Sequence, residues 1–357
     1  MEGANRQSVP LYAALDLGTN NCRLLIATPA RGGFRVIDAY SRIVRLGEGL
    51  SQTGRLQPAA MDRALSALKV CADRLSRRGV PRVRAIATQA CRSAANGAEF
   101  IQRVERETGI HLQVITPHEE ARLSVAGCLT LLDHSTDAAL VLDVGGGSTE
   151  LSWVDLSGTT SEQIMAGGLA AMPPIRAWLS IPMGVVTLAE QFPEKRPGER
   201  AWFRAMVDAV KARITEFPHA EGLREAFNAG RGHLVGTSGA ITSLAGIHLG
   251  LTRYDRTLVD GLWLTRDDCV ATAERLLNLE PAQRAAQPCI GPDRADLVLA
   301  GAAILQAVQE VWPCDRVRVA DRGLREGLLL SLMAENSGRR RTRRRRRAGK
   351  GAAKAVA

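Results

Sequence analysis

Short apolar runs that end at an aspartate and a glycine-bearing turn recur along this chain. Residues 138–142 are apolar without alternation, which is typical of a strand covered on both faces. Asp143 follows this run, a loop with three consecutive glycines comes next, and a second apolar segment begins at Leu151. An apolar segment on each side of the loop predicts a β-hairpin, and the Gly-Lys-Ser/Thr ending of a P-loop is missing.

The same pattern occurs 127 positions earlier in the chain. Residues 11–15 form a short apolar run that leads to Asp16, a glycine-bearing turn follows, and residues 22–27 form a second apolar run. A repeated unit of strand, turn and strand predicts two related domains that face one ligand.

Hydrophobic periodicity predicts strands and helices over the rest of the chain. Strands are predicted at residues 34–46, 83–87, 112–115, 234–235 and 317–321, and helices at residues 58–78, 199–217, 266–278, 294–311 and 324–333, with a further helix opening at Pro117. Residues 166–169 predict a turn into a helix that carries Arg176 and Trp178, and residues 281–293, with three prolines, predict a loop.

Two glycine-bearing turns are candidates for binding phosphate. Glycine reaches positive φ without a steric cost, so the N–H groups of residues 145–147 can converge on an anion, and the hydroxyls that follow can also donate. The turn at residues 236–240 precedes a predicted helix, whose start offers free N–H groups and the positive end of the dipole. An ordinary glycine-rich turn is the alternative at both places.

Arg92 and the acid pair Glu119 and Glu120 are candidates for charged groups in such a site. An arginine fork donates two hydrogen bonds to a phosphate and stays charged at physiological pH. A solvated helix arginine is the alternative for Arg92, and acids in a first helical turn usually only complement the dipole. The residues alone leave both interpretations open.

Length and composition exclude several classes of protein. The 357 residues are enough for two domains, and a hydrophobic fraction of 45% fits a soluble globular protein. No apolar run approaches the roughly 20 residues needed to span a membrane, and residues 1–10 lack the apolar region of a secretory signal. We therefore expect a cytoplasmic protein whose seven scattered cysteines, without a Cys-x-x-Cys pair, are reduced thiols.

The net charge of +10 belongs entirely to a C-terminal tail. Residues 339–357 contain eight arginines and two lysines without an acid, so the preceding 338 residues carry no net charge. Composition predicts that residues 336–357 are disordered, and we also expect residues 1–10 to be flexible. A basic run of this kind fits a nonspecific contact with nucleic acid or polyphosphate, and a solubilising extension is the alternative.

Five segments together carry a family resemblance. They are residues 16–20, 87–92, 119–123, 143–151 and 236–239, in that order and spacing. This set resembles the exopolyphosphatase and guanosine pentaphosphate phosphohydrolase (Ppx/GppA) family, in its short two-domain form, over about residues 11–333. The resemblance implies an α/β, actin-like ATPase fold with two ribonuclease-H-like domains and a phosphate cleft between them. We expect these domains at residues 11–125 and 126–335, with the last helix able to pack back on the first domain.

The resemblance also implies roles for individual residues. Glu120 would polarise the attacking water, Arg92 would supply a cation, and Asp143 and Glu150, with Asp16, would hold magnesium. Phosphate oxygens would be bound by residues of the glycine-bearing turns: Gly18, Thr19, Asn20, Asn21, Gly145, Gly146, Gly147, Ser148, Thr149, Gly236, Ser238 and Gly239.

The implied activity is magnesium-dependent removal of terminal phosphate from inorganic polyphosphate. Hydrolysis of the 5′ end of guanosine pentaphosphate and a small-molecule kinase on the same scaffold are the enzymatic alternatives. A polyanion-binding protein that uses the arginine-rich tail is an alternative from a different class. Where many members read Asp-Gly-Ala-Leu-Arg-Glu-Gly, this chain has Arg322 and Gly323, which adds an arginine near the cleft. The sequence leaves open whether the chain acts alone or as a homodimer.

Overall fold

Two mixed β-sheets with helices packed on them form the body of the protein. The computed structural model describes residues 10–158 and 172–335. The predicted turn at residues 166–169, the basic tail and the first nine residues lie outside the described residues.

The first sheet has five strands in the order β3-β2-β1-β4-β5. They are β1 (Tyr12–Leu17), β2 (Asn21–Ala30), β3 (Gly33–Ile43), β4 (Val83–Ala87) and β5 (Leu112–Val114). β2 pairs antiparallel with both β1 and β3, whereas β1, β4 and β5 run parallel. Every residue of the central strand β1 is buried, as its apolar sequence predicts.

The second sheet has six strands in the order β10-β11-β9-β6-β7-β8. They are β6 (Ala138–Val144), β7 (Thr149–Asp155), β8 (Ile175–Ile181), β9 (Gly232–Thr237), β10 (Trp263–Leu264) and β11 (Val317–Ala320). β7 pairs antiparallel with β6 and β8, and β6, β9 and β11 run parallel. The second sheet therefore repeats the first and adds β10 at one edge, so the duplication predicted from the two turns is confirmed.

The helices follow the strands in the order that an α/β chain requires. They are α1 (Leu50–Thr53), α2 (Pro58–Arg78), α3 (Gln89–Ser93), α4 (Gly97–Thr108), α5 (Pro117–Cys128), α6 (Val185–Gln191), α7 (Arg200–Ile214), α8 (Ala220–Asn228), α9 (Gly239–His248), α10 (Arg256–Val259), α11 (Arg266–Leu277), α12 (Pro281–Ala285), α13 (Val298–Val311) and α14 (residues 324–335). Within the ranges that the structure describes, no helix has both the length and the apolar character needed to cross a bilayer.

Two of the predicted elements were wrong. Arg176 and Trp178 lie on β8 rather than on a helix, because this segment pairs with β7 and Arg176 stacks over the Trp153 ring at 4.7 Å. Residues 281–293 contain α12 and a 3-10 turn (Pro292–Arg294) instead of an irregular loop. Both helices begin at a proline, where the missing N–H group has no helical partner to lose.

Each sheet has its own hydrophobic core. Leu15 and Leu24 of the first sheet pack with Leu68 of α2 and Phe100 of α4. The larger cluster joins the second sheet to α6, α7, α9, α11 and α13, with Trp312 fully buried in it. All seven cysteines are buried, and none is paired in a disulfide.

Two helices, α5 and α14, pack on the sheet of the opposite domain. The second half of α5 packs on the second sheet, whereas Leu328 and Leu329 of α14 pack on the first. The two helices cross at glycines: a Cβ on Gly127 would lie 2.0 Å from the Gly323 carbonyl oxygen, and one on Gly327 would lie 1.9 Å from the Leu123 carbonyl oxygen. This close crossing packs α5 directly against α14 and so connects the two sheets. The domain boundary at residues 125 and 126 falls inside α5 and stays a prediction.

Candidate active site

The ends of β1 and β6 open onto one cavity between the two sheets. Its volume is about 520 Å³, and its wall contains both glycine-bearing hairpins, the start of α9 and the segment that follows β11. Two copies of the same structural unit therefore contribute the same kind of loop to one site, as the repeated turns predict.

The two hairpins touch each other directly. A Cβ on Gly146 would lie 3.0 Å from both the Asn20 nitrogen and the Thr19 Cβ, and one on Gly147 would lie 2.0 Å from the Gln89 side-chain oxygen. The expectation that these glycines use positive φ was wrong, because neither Gly18 nor any of residues 145–147 has a positive φ. Glycine is needed here because any side chain would push the two domains apart.

Both hairpins have the same turn and leave the same amides free. Gly18 N–H donates to the Asn21 carbonyl at 2.8 Å, and Gly145 N–H donates to the Ser148 carbonyl at 2.9 Å. Over the described part of the chain, the N–H groups of Thr19, Gly146 and Gly147 have no protein acceptor. Unpaired amides at the wall of a cavity are the donors that an anion requires.

Six carboxylate residues line the cavity: the predicted site residues Asp16, Glu120, Asp143 and Glu150, together with Asp321 and Glu326. Asp143 and Glu150 lie directly opposite each other on β6 and β7, an arrangement that is unfavourable for two like charges. In the first sheet the residue opposite Asp16 is Arg23, not an acid. Arg23 follows Asp16 by the same spacing with which Glu150 follows Asp143, so the repeat itself contained a signal for Arg23 that the sequence analysis missed.

Burial raises the pKa of all four predicted carboxyl groups, Asp16, Glu120, Asp143 and Glu150. The pKa of Asp16 rises to about 6, against the opposing charges of Arg23 and Arg325. Burial and the Asp143 carboxylate raise the pKa of Glu150 to about 7, against hydrogen bonds from serine hydroxyls. Burial also raises the pKa of Asp143, which accepts a hydrogen bond from the Ser124 hydroxyl. The pair of facing acids therefore favours a proton or a cation near neutral pH.

The first turn of α5 separates the roles of Glu119 and Glu120. Glu119 forms an ion pair with Arg84 outside the cavity, whereas Glu120 is 7% exposed and faces the cavity. Burial, followed by the charge of Glu150, raises the pKa of Glu120 well above its usual range, and Arg92 opposes this rise. Arg92 donates to Glu120 Oε2 at 3.2 Å and to the Ile115 carbonyl at 2.7 Å. Glu120 is thus a fixed, buried carboxylate with high proton affinity.

The structure does not bring three of the predicted site residues to the cavity wall. Arg92 lies behind Glu120, Thr149 is fully buried with its hydroxyl on the Met183 carbonyl at 2.7 Å, and Gly236 packs on Ile241. The other predicted residues all line the cavity: Asp16, Gly18, Thr19, Asn20, Asn21, Glu120, Asp143, Gly145, Gly146, Gly147, Ser148, Glu150, Ser238 and Gly239. The Ser238 hydroxyl accepts hydrogen bonds from two N–H groups in the first turn of α9.

Three arginines that the sequence did not single out add positive charge to the cavity: Arg23, Arg294 and Arg325. Burial and the neighbouring Arg325 lower the pKa of Arg23, so these cations lie close together. In residues 10–158 and 172–335, no hydrogen bond uses the side chain of Arg23 or Arg294. Arg322 also reaches the wall, but its guanidinium is held by Asp260, with Nε 3.0 Å from Oδ2.

The model of the Ppx/GppA phosphatase family matches residues 25–336. The chain belongs to this family. It is 30% identical over 333 residues to exopolyphosphatase 2 of Mycobacterium tuberculosis, an alignment that covers 90% of this chain and 98% of that protein. The resemblance stated from the sequence is confirmed.

Solved structures agree with this assignment. The crystal structure of the Aquifex aeolicus member of the Ppx/GppA family superposes with a TM-score of 0.72 at 28% identity and covers 92% of this chain and 99% of that one. An exopolyphosphatase from Cytophaga hutchinsonii superposes with a TM-score of 0.78 at 23% identity, over 91% of this chain and 98% of that one, and shows the same fold. Membership of the Ppx/GppA family confirms the actin-like fold and the prediction of a phosphoanhydride hydrolase.

The acids of this Ppx/GppA protein fit a hard divalent cation. Asp16 Oδ1 is buried and has no hydrogen-bond partner, and Asp143 and Glu150 present facing oxygen ligands. Among the residues that the structure describes, no three His, Cys, Asp or Glu side chains converge closely enough to hold a metal alone. Mg²⁺ is usually bound by one or two carboxylates together with waters and substrate phosphates, so this donor set suits an ion shared with a phosphate.

We predict that Glu150 makes the stability of the metal-free protein fall as the pH rises. Its pKa is about 7 in the folded chain against an ordinary 4.5, so the folded state binds this proton more tightly than the unfolded state does. The loss should therefore occur between pH 4.5 and about 7. Above this range, Glu150→Gln should be more stable than the parent by about 1–3 kcal/mol.

Urea unfolding in EDTA across this pH range measures the effect. Glu221→Gln, at an exposed position on α8, is the control and should follow the parent curve. Parallel curves for the parent and Glu150→Gln would contradict the assignment of a high pKa to Glu150.

Proposed function

We propose that the chain is a cytoplasmic exopolyphosphatase that removes the terminal phosphate of inorganic polyphosphate. One observation carries this proposal: Glu120 lies at the wall of a cavity that also presents free amides from two glycine hairpins. The name of the Mycobacterium tuberculosis relative, exopolyphosphatase 2, supports the same substrate. Residues of both domains line the cavity. In this proposal a linear polyanion enters between them with its end toward Glu120.

Glu120 acts as the general base in this proposal. It accepts a proton from a water whose oxygen attacks the terminal phosphorus, and the bond from phosphorus to the bridging oxygen breaks. A base is most effective when its pKa approaches the working pH, and burial shifts the pKa of Glu120 in that direction. Arg92 fixes the orientation of the carboxylate and keeps its pKa from rising further.

The rest of the cavity neutralises charge on the phosphates. Catalysis of phosphoryl transfer depends on positioning and on stabilising charge on the equatorial oxygens. The free amides of Gly146, Gly147 and Thr19 suit the terminal phosphate, while Arg23 and Arg294 suit the following ones. These groups are fixed by the fold before substrate arrives, which lowers the cost of reorganisation.

We further propose that Asp143 and Glu150, with Asp16, hold Mg²⁺. When bound, the ion neutralises phosphate oxygens and the facing carboxylates. The buried, unpaired Asp16 oxygen and the opposed pair on β6 and β7 support this proposal.

Guanosine pentaphosphate is a second candidate substrate, because part of the cavity wall combines an aromatic ring with apolar side chains. Tyr254, Pro288, Cys289 and Ile290 form this part, here called the apolar lobe, and Tyr254 also lies beside Asp321. An aromatic ring beside apolar side chains is suited to stack on a nucleobase. This lobe favours a nucleoside-bearing phosphate chain, whereas a plain polyphosphate would leave it empty.

The basic tail is proposed to capture polyanions. Its ten positive charges in residues 339–357 are attached to a body without net charge, so they dominate long-range attraction to a phosphate chain. This capture is nonspecific and extends to nucleic acids.

Replacing the general base tests the proposed mechanism. We expect Glu120→Gln to lower kcat on polyphosphate by about 10²–10⁴-fold, because glutamine cannot accept the proton. Glu119→Gln is the matched control, since Glu119 pairs with Arg84 outside the cavity, and it should stay within a few-fold of the parent. Near-parental release of phosphate by Glu120→Gln would refute the role of Glu120.

A substrate panel with Tyr254→Ala separates the two candidate substrates. We expect the parent to release phosphate from polyphosphate without any acceptor, which also excludes a kinase. If guanosine pentaphosphate binds the apolar lobe, Tyr254→Ala should raise its KM about tenfold by loss of stacking and spare polyphosphate. Tyr254→Phe, which keeps the ring and loses the hydroxyl, is the control. Equal KM values for guanosine pentaphosphate in all three proteins would argue against the nucleoside lobe.

Deleting residues 339–357 tests capture by the tail. The truncated protein should bind long polyphosphate more weakly at low salt and turn over short chains at the parental rate, because counterions compete with the tail. A neutral Gly/Ser tail of the same length is the control. Unchanged affinity for long chains at every salt concentration would remove this proposal.

A further inference from the structure

The segment of residues 44–51, here called the collar, lies directly on the first hairpin. The Asn20 carbonyl accepts hydrogen bonds from Val44 N–H at 2.9 Å and Arg45 N–H at 3.1 Å, and the Thr19 carbonyl accepts one from Gly47 N–H at 2.9 Å. A Cβ on Gly47 would lie 2.2 Å from Thr19 Cγ2. The collar therefore moves with the first hairpin as one unit.

From the collar, Arg45 reaches across the mouth of the cleft to the second domain. Its fork donates to both carboxylate oxygens of Asp296, at 3.0 and 3.1 Å, and to the Asp293 carbonyl at 3.0 Å. Asp293 and Asp296 flank Arg294, whose guanidinium lines the cavity. Arg45 has a φ of 46°, a conformation that a residue with a side chain keeps only when its surroundings fix it.

A second contact crosses the cleft in the opposite direction. Glu190, at the end of α6, accepts hydrogen bonds from Gly49 N–H at 2.9 Å and from the Ser51 hydroxyl of the collar. The start of α6 holds the second hairpin, because Val185 N–H donates to the Gly145 carbonyl at 2.9 Å and Val186 N–H to the Gly146 carbonyl at 2.8 Å. Each contact therefore connects one hairpin, through its support, to the opposite domain.

We propose that Arg45 and Glu190 are positioning residues that hold the two domains closed, so that both glycine hairpins and Arg294 face one phosphate chain. This inference rests on the proposed function, because it assigns the contacts to the binding of the same substrate. Both contacts lie at the rim, where Arg45 and Asp296 are 32% and 52% exposed in their side chains. Exposed ion pairs add little to the stability of a fold, so their loss should release the closed arrangement and leave each domain folded.

Steady-state kinetics on polyphosphate distinguishes positioning from a structural role. If a variant is mostly open without substrate, substrate binding must also close it. The apparent affinity then falls in proportion to the fraction of molecules that are closed, while turnover at saturating substrate is kept. We expect Arg45→Asp and Glu190→Gln to raise KM about fivefold or more with kcat within about twofold. A structural role would instead lower the active fraction, so kcat would fall at constant KM.

Exchanging the charges of Arg45 and Asp296 tests whether this ion pair itself sets KM. Asp296→Arg alone should resemble Arg45→Asp, and the double variant, Arg45→Asp with Asp296→Arg, should recover most of the parental KM. Arg77→Ala is the matched control, because Arg77 and Asp73 form an exposed ion pair within α2 alone, and it should leave KM unchanged.

Small-angle X-ray scattering measures, in the absence of substrate, whether the two domains are closed. Arg45→Asp should have a larger radius of gyration than the parent, and the charge swap should reverse this. Unchanged KM in the single variants, loss of kcat alone, a swap that recovers nothing, or identical radii would each overturn the inference. A parent that releases no phosphate from polyphosphate would defeat the proposed function instead, and the radii would still test the closure.

Discussion

The active site depends on one unfavourable interaction, the burial of acidic side chains against one another. Asp143 and Glu150 face each other across neighbouring strands, and Glu120 and Asp16 add charge to the same cavity. Such groups are costly to desolvate as anions, so the fold is stable here only if protons or cations accompany them. The same cost lowers the local stability of the fold whenever these acids are all ionised without a compensating cation.

The duplicated hairpins have diverged at the position that sets their charge. In the first hairpin Arg23 lies opposite Asp16 and compensates it within the protein, whereas in the second Glu150 lies opposite Asp143 and increases the negative charge. One half of the cavity therefore has an acid that faces a cation of the protein itself, and the other half has two facing acids. The two halves differ in charge without a change of backbone, since both turns keep the same hydrogen bond.

Patterns in the sequence predicted the structural features that depend on residues close together in the chain. The hairpins and the acids at the strand ends, Asp16 and Asp143, follow from apolar runs, glycines and spacing, whereas Glu120 was singled out only through the family resemblance. Arg294 and Arg325 could not be predicted, because only the tertiary packing of α14 and of the turn before α13 brings them to the first sheet. The local sequence of β8 could not predict a strand, because the conformation of this segment is decided by its pairing with β7, which is distant in the chain. Arg92 does not reach the cavity wall, and this could not be predicted because its distance from the cavity depends on how α3 packs.

The glycines of the second hairpin are needed for a different physical reason from the one that the sequence predicts. A glycine-rich loop predicts an anion site through its backbone freedom, yet none of the three glycines in the second hairpin uses a positive φ. Their missing side chains matter because the opposite hairpin and Gln89 occupy the space that a Cβ would need. The two domains approach each other closely here, with the Thr19 and Gln89 side chains against Gly146 and Gly147. The set of free amides at the cavity is therefore a property of the contact between the domains, and neither hairpin would form it alone.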